Sequence, residues 1–398
     1  MSQTQTDPIV IIAAQRTPTG KFNGQFRNTP SPELGAMAIK SALEKSGLTS
    51  EMVNAVFMGC VLPAGLGQAP ARQAALAAGI LQKTPCVTVN KVCGSSMQTV
   101  IYAHDSILAG TYDIVVAGGM ENMTRAPYLL PKERFGQRFG HGKVLDHMLF
   151  DGLEDVYEAG KPMGYFAEKC AEKYAITRAQ QDQFAQASIE RARQAIKNNQ
   201  FSNEIISCEI KGDKGESLTF NEDEGPFSVD PAKIPKLPPA FAKNGTITAA
   251  NSSSISDGAA ALVLTRKSIA DKLSIKPLAT IVGHFAHAQE PEWFTTAPIS
   301  AINGLMAKLQ WGIVDVDLFE INEAFAVVPL VAMQALSIPH EKINVHGGAC
   351  ILGHPLGASG ARILVTLIHA LHTHKLKRGI ASLCIGGGEA TAIALEVH

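Results

Sequence analysis

The chain is 398 residues long, 46% apolar and 18% charged, with a formal net charge of −1. That size and apolar content predict two or three packed units with a large core and exclude intrinsic disorder. The near-neutral balance argues against nucleic acid as the main partner, which calls for a basic patch.

Short apolar strands alternate with amphipathic helices from the start. Residues 9–13 read as a strand, followed by a helix with Ser31 at its N-cap and Pro32 at N1. Residues 56–58 read as a strand, 70–78 as a helix, and 87–89 as the strand before Cys93. A buried strand at 113–117 is predicted to end in Gly118-Gly119. Residues 124–254 differ in character: a basic, glycine-containing stretch, an acidic patch at 151–158, and a long helix opened by a Thr177/Gln180 capping box. At about 130 residues this is too long for a connection and reads as a lid or loop domain. Strands at 280–282, 318–321 and 380–385 and helices at 324–335 and 358–371 follow. The alternation predicts an α/β fold with a parallel or mixed sheet covered on both faces. Similar patterns at 113–119 and 380–388 suggest that the second half is a diverged copy of the first.

No apolar run reaches the ~18 residues of a membrane span. The opening MSQTQTDP lacks the charged and apolar regions of a signal peptide. Seven cysteines without CxxC spacing read as reduced thiols, so the expected compartment is cytoplasmic.

Four segments carry chemistry. Cys93, in KVCGSS, stands between a strand and a helix, where the positive end of the helix dipole favours a thiolate nucleophile. A lone cysteine is more often a small buried hydrophobe, so its partners decide the reading. His354 sits in GGACILGHPLGASG, a loop whose five glycines can bring backbone close to a ligand. Cys384 precedes Gly386-Gly387-Gly388, whose amides could form an oxyanion hole. Asn322 and Glu323 follow the strand at 318–321 and could instead cap the next helix. The pairs His284/His287 and His369/His372 are not HExxH, and no cysteine pair has zinc spacing, so no metal is expected. The glycine turns are not GxGxxG, so nicotinamide is not expected either.

Taken together, KVCGSS, NEAFA, GGACILGHPLGASG and CIGGG, with RTPTGKFNG and AANSSSISDGAA, resemble the thiolase family over essentially the whole chain. The resemblance implies the thiolase fold: two similar α/β halves in a five-layered αβαβα sandwich with an inserted loop domain. It places the N-terminal half at 1–123 (completed by 255–275), the loop domain at 124–254 and the C-terminal half at 276–398. It implies reversible Claisen condensation of two acetyl-CoA to acetoacetyl-CoA plus CoA. These esters are substrates, so no cofactor is expected. Carried over residue by residue, Cys93 becomes the acylated nucleophile, His354 its base, and Cys384 the group that deprotonates the second acetyl-CoA. Amides of Cys93 and Gly386 hold one oxyanion, while His354 and a water fixed by Asn322 meet the other. Ser253 lies against the pantetheine, Phe241, Ala324 and Phe325 line the tunnel, and Met163 stands near the acyl end. Lys132, Arg134 and Lys143 either meet the CoA phosphates or form a solvated or assembly loop.

The family is usually dimeric or tetrameric, and the stretch at 124–150 favours a homotetramer. One departure stands out. Acetoacetyl-CoA-specific members often have a His before the Met-Gly of the loop domain, and here the text is Lys161-Pro162-Met163-Gly164. The alternative is therefore a 3-ketoacyl-CoA thiolase of fatty-acid oxidation. A non-catalytic CoA- or lipid-binding protein of the same fold is a third reading.

Overall fold

The strand Ile9–Arg16 (β1) is buried over its whole length, as an apolar run covered on both faces should be. The computed structural model describes residues 7–212 and 214–398, so most of the opening MSQTQTDP, read above as no signal peptide, lies outside the described residues. After β1 come α1 (Ser31–Ser46), β2 (Ala55–Gly59), α2 (Pro70–Ala77), β3 (Cys86–Val89), α3 (Ser95–Leu108) and β4 (Ile114–Asn122). A long excursion carrying α4 (Met163–Lys173) and α5 (Arg178–Lys197) returns at β5 (Ser256–Arg266). The chain continues through β6 (Ala279–Ala288), α6 (Ala297–Leu309), β7 (Leu318–Ile321), α7 (Val327–Leu336), α8 (Ser359–His374), β8 (Arg378–Ile385) and β9 (Glu389–Val397).

The strands run in the order β7-β8-β9-β6-β1-β5-β4-β2-β3. The two halves of this array join through a short antiparallel pairing of Val10 with Thr280 and Ile11 with Ala279. Toward the two ends of the array the strands are parallel (β4, β2 and β3 at one end, β7 and β8 at the other), and the strands between them pair antiparallel. Helices α3 and α8 lie between the two half-sheets, where Met97, Val100, Ile107, Ile363, Leu364 and Leu367 form one core with inward residues of both. Helices α1 and α2 cover the outer face of one half-sheet, α6 and α7 that of the other. The layering is therefore αβαβα.

Three local differences from the sequence reading bear on the site. Strand β4 runs on through Gly118 and Gly119 rather than ending there. A methyl at Gly119 would lie 1.9 Å from the carbonyl oxygen of Gly357, and one at Gly118 2.1 Å from that of Ala260. These glycines let the His354 loop and β5 lie against the sheet. Ser31 is not the cap of α1: Pro30 occupies that position, and the Ser31 hydroxyl accepts the Asn122 amide, tying the helix to the end of β4. Helix α7 begins at Val327, after a segment that pairs with the excursion through Ser253 N–H to Ala324 O and Ala326 N–H to Asn251 O.

The excursion is anchored by Arg16, fully buried, which donates to Glu204 at 2.6 Å and to Asp223 at 2.8 and 2.9 Å. The capping box Thr177/Gln180 forms at the start of α5 as predicted. Among the described residues no helix is long and apolar enough to cross a membrane.

Candidate active site

Cys93 is presented by a strained turn. Strand β3 ends at Val89, and Val92 adopts φ +47°, a left-handed conformation uncommon for a β-branched residue. Local bonds hold it there: Val92 N–H donates to Asn90 Oδ1 at 2.9 Å, and the Ser95 hydroxyl donates to Val92 O at 2.6 Å. Lys91 pairs with Glu389, which fastens the turn to the C-terminal half beside the Gly386–Gly388 turn. The Cys93 side chain is partly buried and receives a hydrogen bond from the Gly386 amide. Burial nonetheless pushes its thiol up to about 11, against the expectation that the helix end would favour the thiolate. The lost hydration of a thiolate outweighs the amides that face it.

His354 is almost fully buried, with Nδ1 2.6 Å from the Ser359 hydroxyl and its amide donating to Ser254 O at 3.2 Å. Burial, helped by the positive charge of Arg362, holds its imidazole down at about 3, so it is neutral and can accept a proton. The loop after it is held by Glu121 at the end of β4. That buried carboxylate accepts the amides of Val61 at 2.9 Å, Leu62 at 3.2 Å and Gly357 at 2.9 Å. Burial raises it to about 7 despite those three donors. Asn322, also buried, places its amide nitrogen 3.4 and 3.5 Å from the two ring nitrogens of His354.

Cys384 closes β8 and is fully buried. Burial pushes its thiol well above the ordinary range, and the charge of Cys93 adds to the shift. The structure thus sets Cys93 against Gly386 and Cys384, and His354 against Asn322, with Met163 bordering the hollows at both. Glu323 does something else. It accepts Ser188 Oγ, Asn344 Nδ2 and the Cys350 amide at 2.8 to 3.0 Å, tying the excursion to the C-terminal half. With α7 starting at Val327, neither Asn322 nor Glu323 caps it.

Beside this group opens an apolar cleft of about 540 Å³, lined by His354 and by the predicted Met163, Phe241, Ser253 and Phe325. Phe241 and Phe325 meet edge to face at 6.0 Å. A methyl at Gly164 would sit 2.3 Å from the Phe241 ring, so the ring lies against the backbone of α4. Ala324 stays behind the wall, buried, with its carbonyl holding the Ser253 amide. An adjoining hollow is lined by Val92, Gly386 and Gly387, and Met163 lines both. Sequence reasoning did not assign Lys21, Phe22, Met123, Leu149, Leu153 and Leu356, which also line the cleft. Lys21 and Phe22 belong to RTPTGKFNG, quoted above without a role. Lys132, Arg134 and Lys143 are exposed and do not line it.

Among the described residues one group could hold a metal: His104, Asp105 and His284, whose ligand atoms lie within 4.8 Å of one another. It lies at the far end of α3, about 15 Å along the helix from Cys93. His369 and His372 instead hydrogen-bond to the carbonyls of Ala14 at 3.0 Å and Leu278 at 2.9 Å.

The models of the thiolase N-terminal domain and the thiolase C-terminal domain match residues 9–268 and 275–397. Acetyl-CoA acetyltransferase 2 of Arabidopsis thaliana is 50% identical over 98% of this chain and 97% of its own length. Acetyl-CoA acetyltransferase of Cupriavidus necator is 46% identical over 98% of this chain and 99% of its own. Among solved structures, Acat5 thiolase of Ascaris suum in complex with coenzyme A superposes with a TM-score of 0.92 at 40% identity, covering 98% of this chain and 100% of that one. The Bacillus anthracis acetyl-CoA acetyltransferase superposes at 0.96 and 38% identity over 99% of both.

Proposed function

The chain belongs to the thiolase family, and from that premise we propose that it is an acetyl-CoA C-acetyltransferase, joining two acetyl-CoA into acetoacetyl-CoA and CoA and running the reverse thiolysis. Full-length relatives named for that activity support the reading. The observation that carries it is Cys93 held at the Gly386 turn within electrostatic reach of Cys384, with a neutral, buried His354 lining the adjoining cleft.

Both thiols are protonated at rest, so each must be activated during turnover. His354 Nε2 takes the Cys93 proton as the sulfur attacks the acetyl-CoA carbonyl, and the departing CoA sulfur takes the Cys384 proton. That leaves acetyl-Cys93, an imidazolium and a Cys384 thiolate. The thiolate then removes a proton from the methyl carbon of the second acetyl-CoA, and the resulting enolate attacks the acetyl-Cys93 carbonyl. Cys93 leaves and recovers its proton from His354, so both thiols return to their starting state.

The tetrahedral oxyanions would be met by amides of Cys93 and Gly386, and the enolate by His354 and a water held by Asn322. Removing such a donor typically costs about 3–4 kcal/mol of barrier. The CoA arm would lie in the cleft along Ser253, and Lys21 is the lysine of its lining that could meet the phosphates.

A second reading, cleavage of longer 3-ketoacyl-CoA chains, is favoured by Pro162, which lines the cleft with Leu149, Leu153 and Leu356. Thiolysis rates across chain lengths separate the two. For assembly we propose a homotetramer built through the 124–150 stretch, where Phe135 and Phe139 are almost wholly exposed, at 87% and 105%. A dimeric or monomeric mass by light scattering would overturn it. The cytoplasm is the proposed compartment.

A further inference from the structure

Two orientations matter to this chemistry and are not decided by the reacting groups themselves. A neutral His354 must carry its proton on Nδ1 if Nε2 is to act as the base, and the Asn322 amide must turn its NH2 toward the site rather than its oxygen. Helix α8 meets both groups.

Ser359, fully buried at the first residue of α8, has its hydroxyl oxygen 2.8 Å from the carbonyl of Pro355 and 2.6 Å from His354 Nδ1. A carbonyl cannot donate, so the single serine proton goes to Pro355. The contact with His354 then needs the proton on the ring. One assignment satisfies both contacts: Nδ1–H donates to Ser359, and Nε2 is left with its lone pair.

Arg362 lies one turn further on, 3% exposed, with Nη2 3.4 Å from Asn322 Oδ1. A guanidinium only donates, so it holds the amide oxygen and leaves the NH2 facing His354. That NH2 lies about equally far from both ring nitrogens, at 3.4 and 3.5 Å, and Nδ1 is already engaged by Ser359. One of its protons can therefore point at the Nε2 lone pair, and the other remains available to the site.

The setting of Arg362 argues for a role beyond stability. Its partner Glu320 is equally buried, but the ion pair spans 3.8 Å. Nε and Nη1 of Arg362 and both Glu320 oxygens have no hydrogen-bond partner among the described groups. A buried ion pair held this loosely costs stability, and such departures gather at functional sites. Thr366 and His369 extend the same face of α8, and their bonds go to Glu204 at 3.1 Å and Ala14 O at 3.0 Å. The C-terminal half of this polar stripe is structural, and the N-terminal half faces the reacting groups.

We propose that Ser359 and Arg362 are positioning residues, Ser359 fixing the Nδ1–H tautomer of His354 and Arg362 fixing the orientation of the Asn322 amide. The proposal rests on the reading of His354 as the base for Cys93. It is tested first on the unaltered protein, by long-range proton–nitrogen NMR of 15N-histidine-labelled enzyme, with the His354 signals identified by their loss in His354→Gln. The expected result is a neutral ring protonated at Nδ1, and a ring protonated at Nε2 would overturn the proposal whatever the enzyme's activity.

In Ser359→Ala the tautomer should become mixed and kcat fall about 10- to 100-fold with KM within about twofold. Ser359→Thr keeps a hydroxyl that can bond the same carbonyl and should recover most of the rate. Arg362→Met should slow condensation by a similar factor while leaving acetylation of Cys93 by acetyl-CoA near normal. Wild-type kcat in Ser359→Ala, or equal loss of both half-reactions in a folded Arg362→Met, would overturn it. Absence of thiolase activity in the unaltered protein would instead refute the proposed function, with the NMR result standing apart.

Discussion

The buried thiol of Cys93 makes a prediction about reactivity that runs against the helix-dipole argument. With the thiol pushed up to about 11, only about one molecule in 10⁴ carries the thiolate at pH ~7. A free cysteine with a pKa of about 8.5 would have about 3%. Alkylation by iodoacetamide follows the thiolate, so Cys93 should react about 300-fold more slowly than a free thiol, before any loss from restricted access. The rate should rise about tenfold per pH unit from about pH 6 to about pH 9, without a plateau.

His354, held near 3, supplies no imidazolium to stabilise the anion, so His354→Ala should leave this profile nearly unchanged. The assay is the second-order rate of Cys93 modification across pH, followed by peptide mass in the unaltered protein and in His354→Ala. Cys384, deeper and pushed higher, should be modified later. A plateau between about pH 6 and about pH 8, or one abolished by His354→Ala, would show a preformed thiolate–imidazolium pair and refute this account of the resting state.

Cys384→Ser should still be acetylated on Cys93 by acetyl-CoA, seen by intact mass. Its condensation and thiolysis should fall about 10²- to 10⁴-fold, and condensation at the wild-type rate would contradict its role as the base for the second acetyl-CoA. Gly119→Ala places a methyl 1.9 Å from Gly357 O and 2.6 Å from Ser96 Cβ. It should lower stability by about 1–3 kcal/mol in denaturant titration and lower kcat by displacing the His354 loop. Arg16→Met leaves Glu204 and Asp223 buried beside an apolar chain, so a loss of about 3–5 kcal/mol is expected. An unchanged thermal midpoint would show that the excursion is anchored elsewhere.

Strands β1, β2, β3, β7 and β8 were legible because they are short apolar runs bounded by glycine or polar residues. Helix α5 was legible because its capping box can be read directly from Thr177 and Gln180. Strands β5 (SDGAAALVLTR) and β9 (EATAIALEV) were not read as strands, since alanine runs carry little β preference and fit a helix as well. Gly118 and Gly119 looked like a strand end. Their real reason, the carbonyls of Ala260 and Gly357 pressed against them, lies far away in sequence.

At the site, glycine-rich surroundings singled out His354 and Cys384, because close backbone approach needs glycine and leaves a visible cluster, while Cys93 stood out at a strand-to-helix turn. The lining by Lys21, Leu149 and Leu153 arises only when the excursion folds back, which no local pattern records. The direction of the Cys93 shift was also hidden, since burial, not the helix end, decides it. Ser359 and Arg362 did leave a trace: with Thr366 and His369 they form a polar stripe on a helix whose other residues up to Leu371 are small or apolar.

The central claim is the reaction itself, and CoA-dependent cleavage of 3-ketoacyl-CoA esters by the purified protein tests it most directly. Four-carbon acetoacetyl-CoA would be compared with esters of eight to sixteen carbons, in the intact protein and in Cys93→Ala. The account predicts that acetoacetyl-CoA is split into two acetyl-CoA faster than any longer ester, and that Cys93→Ala abolishes the cleavage. Preference for the long esters would transfer the protein to the Pro162-based reading. No cleavage of any ester, or cleavage that survives loss of Cys93, would contradict the account.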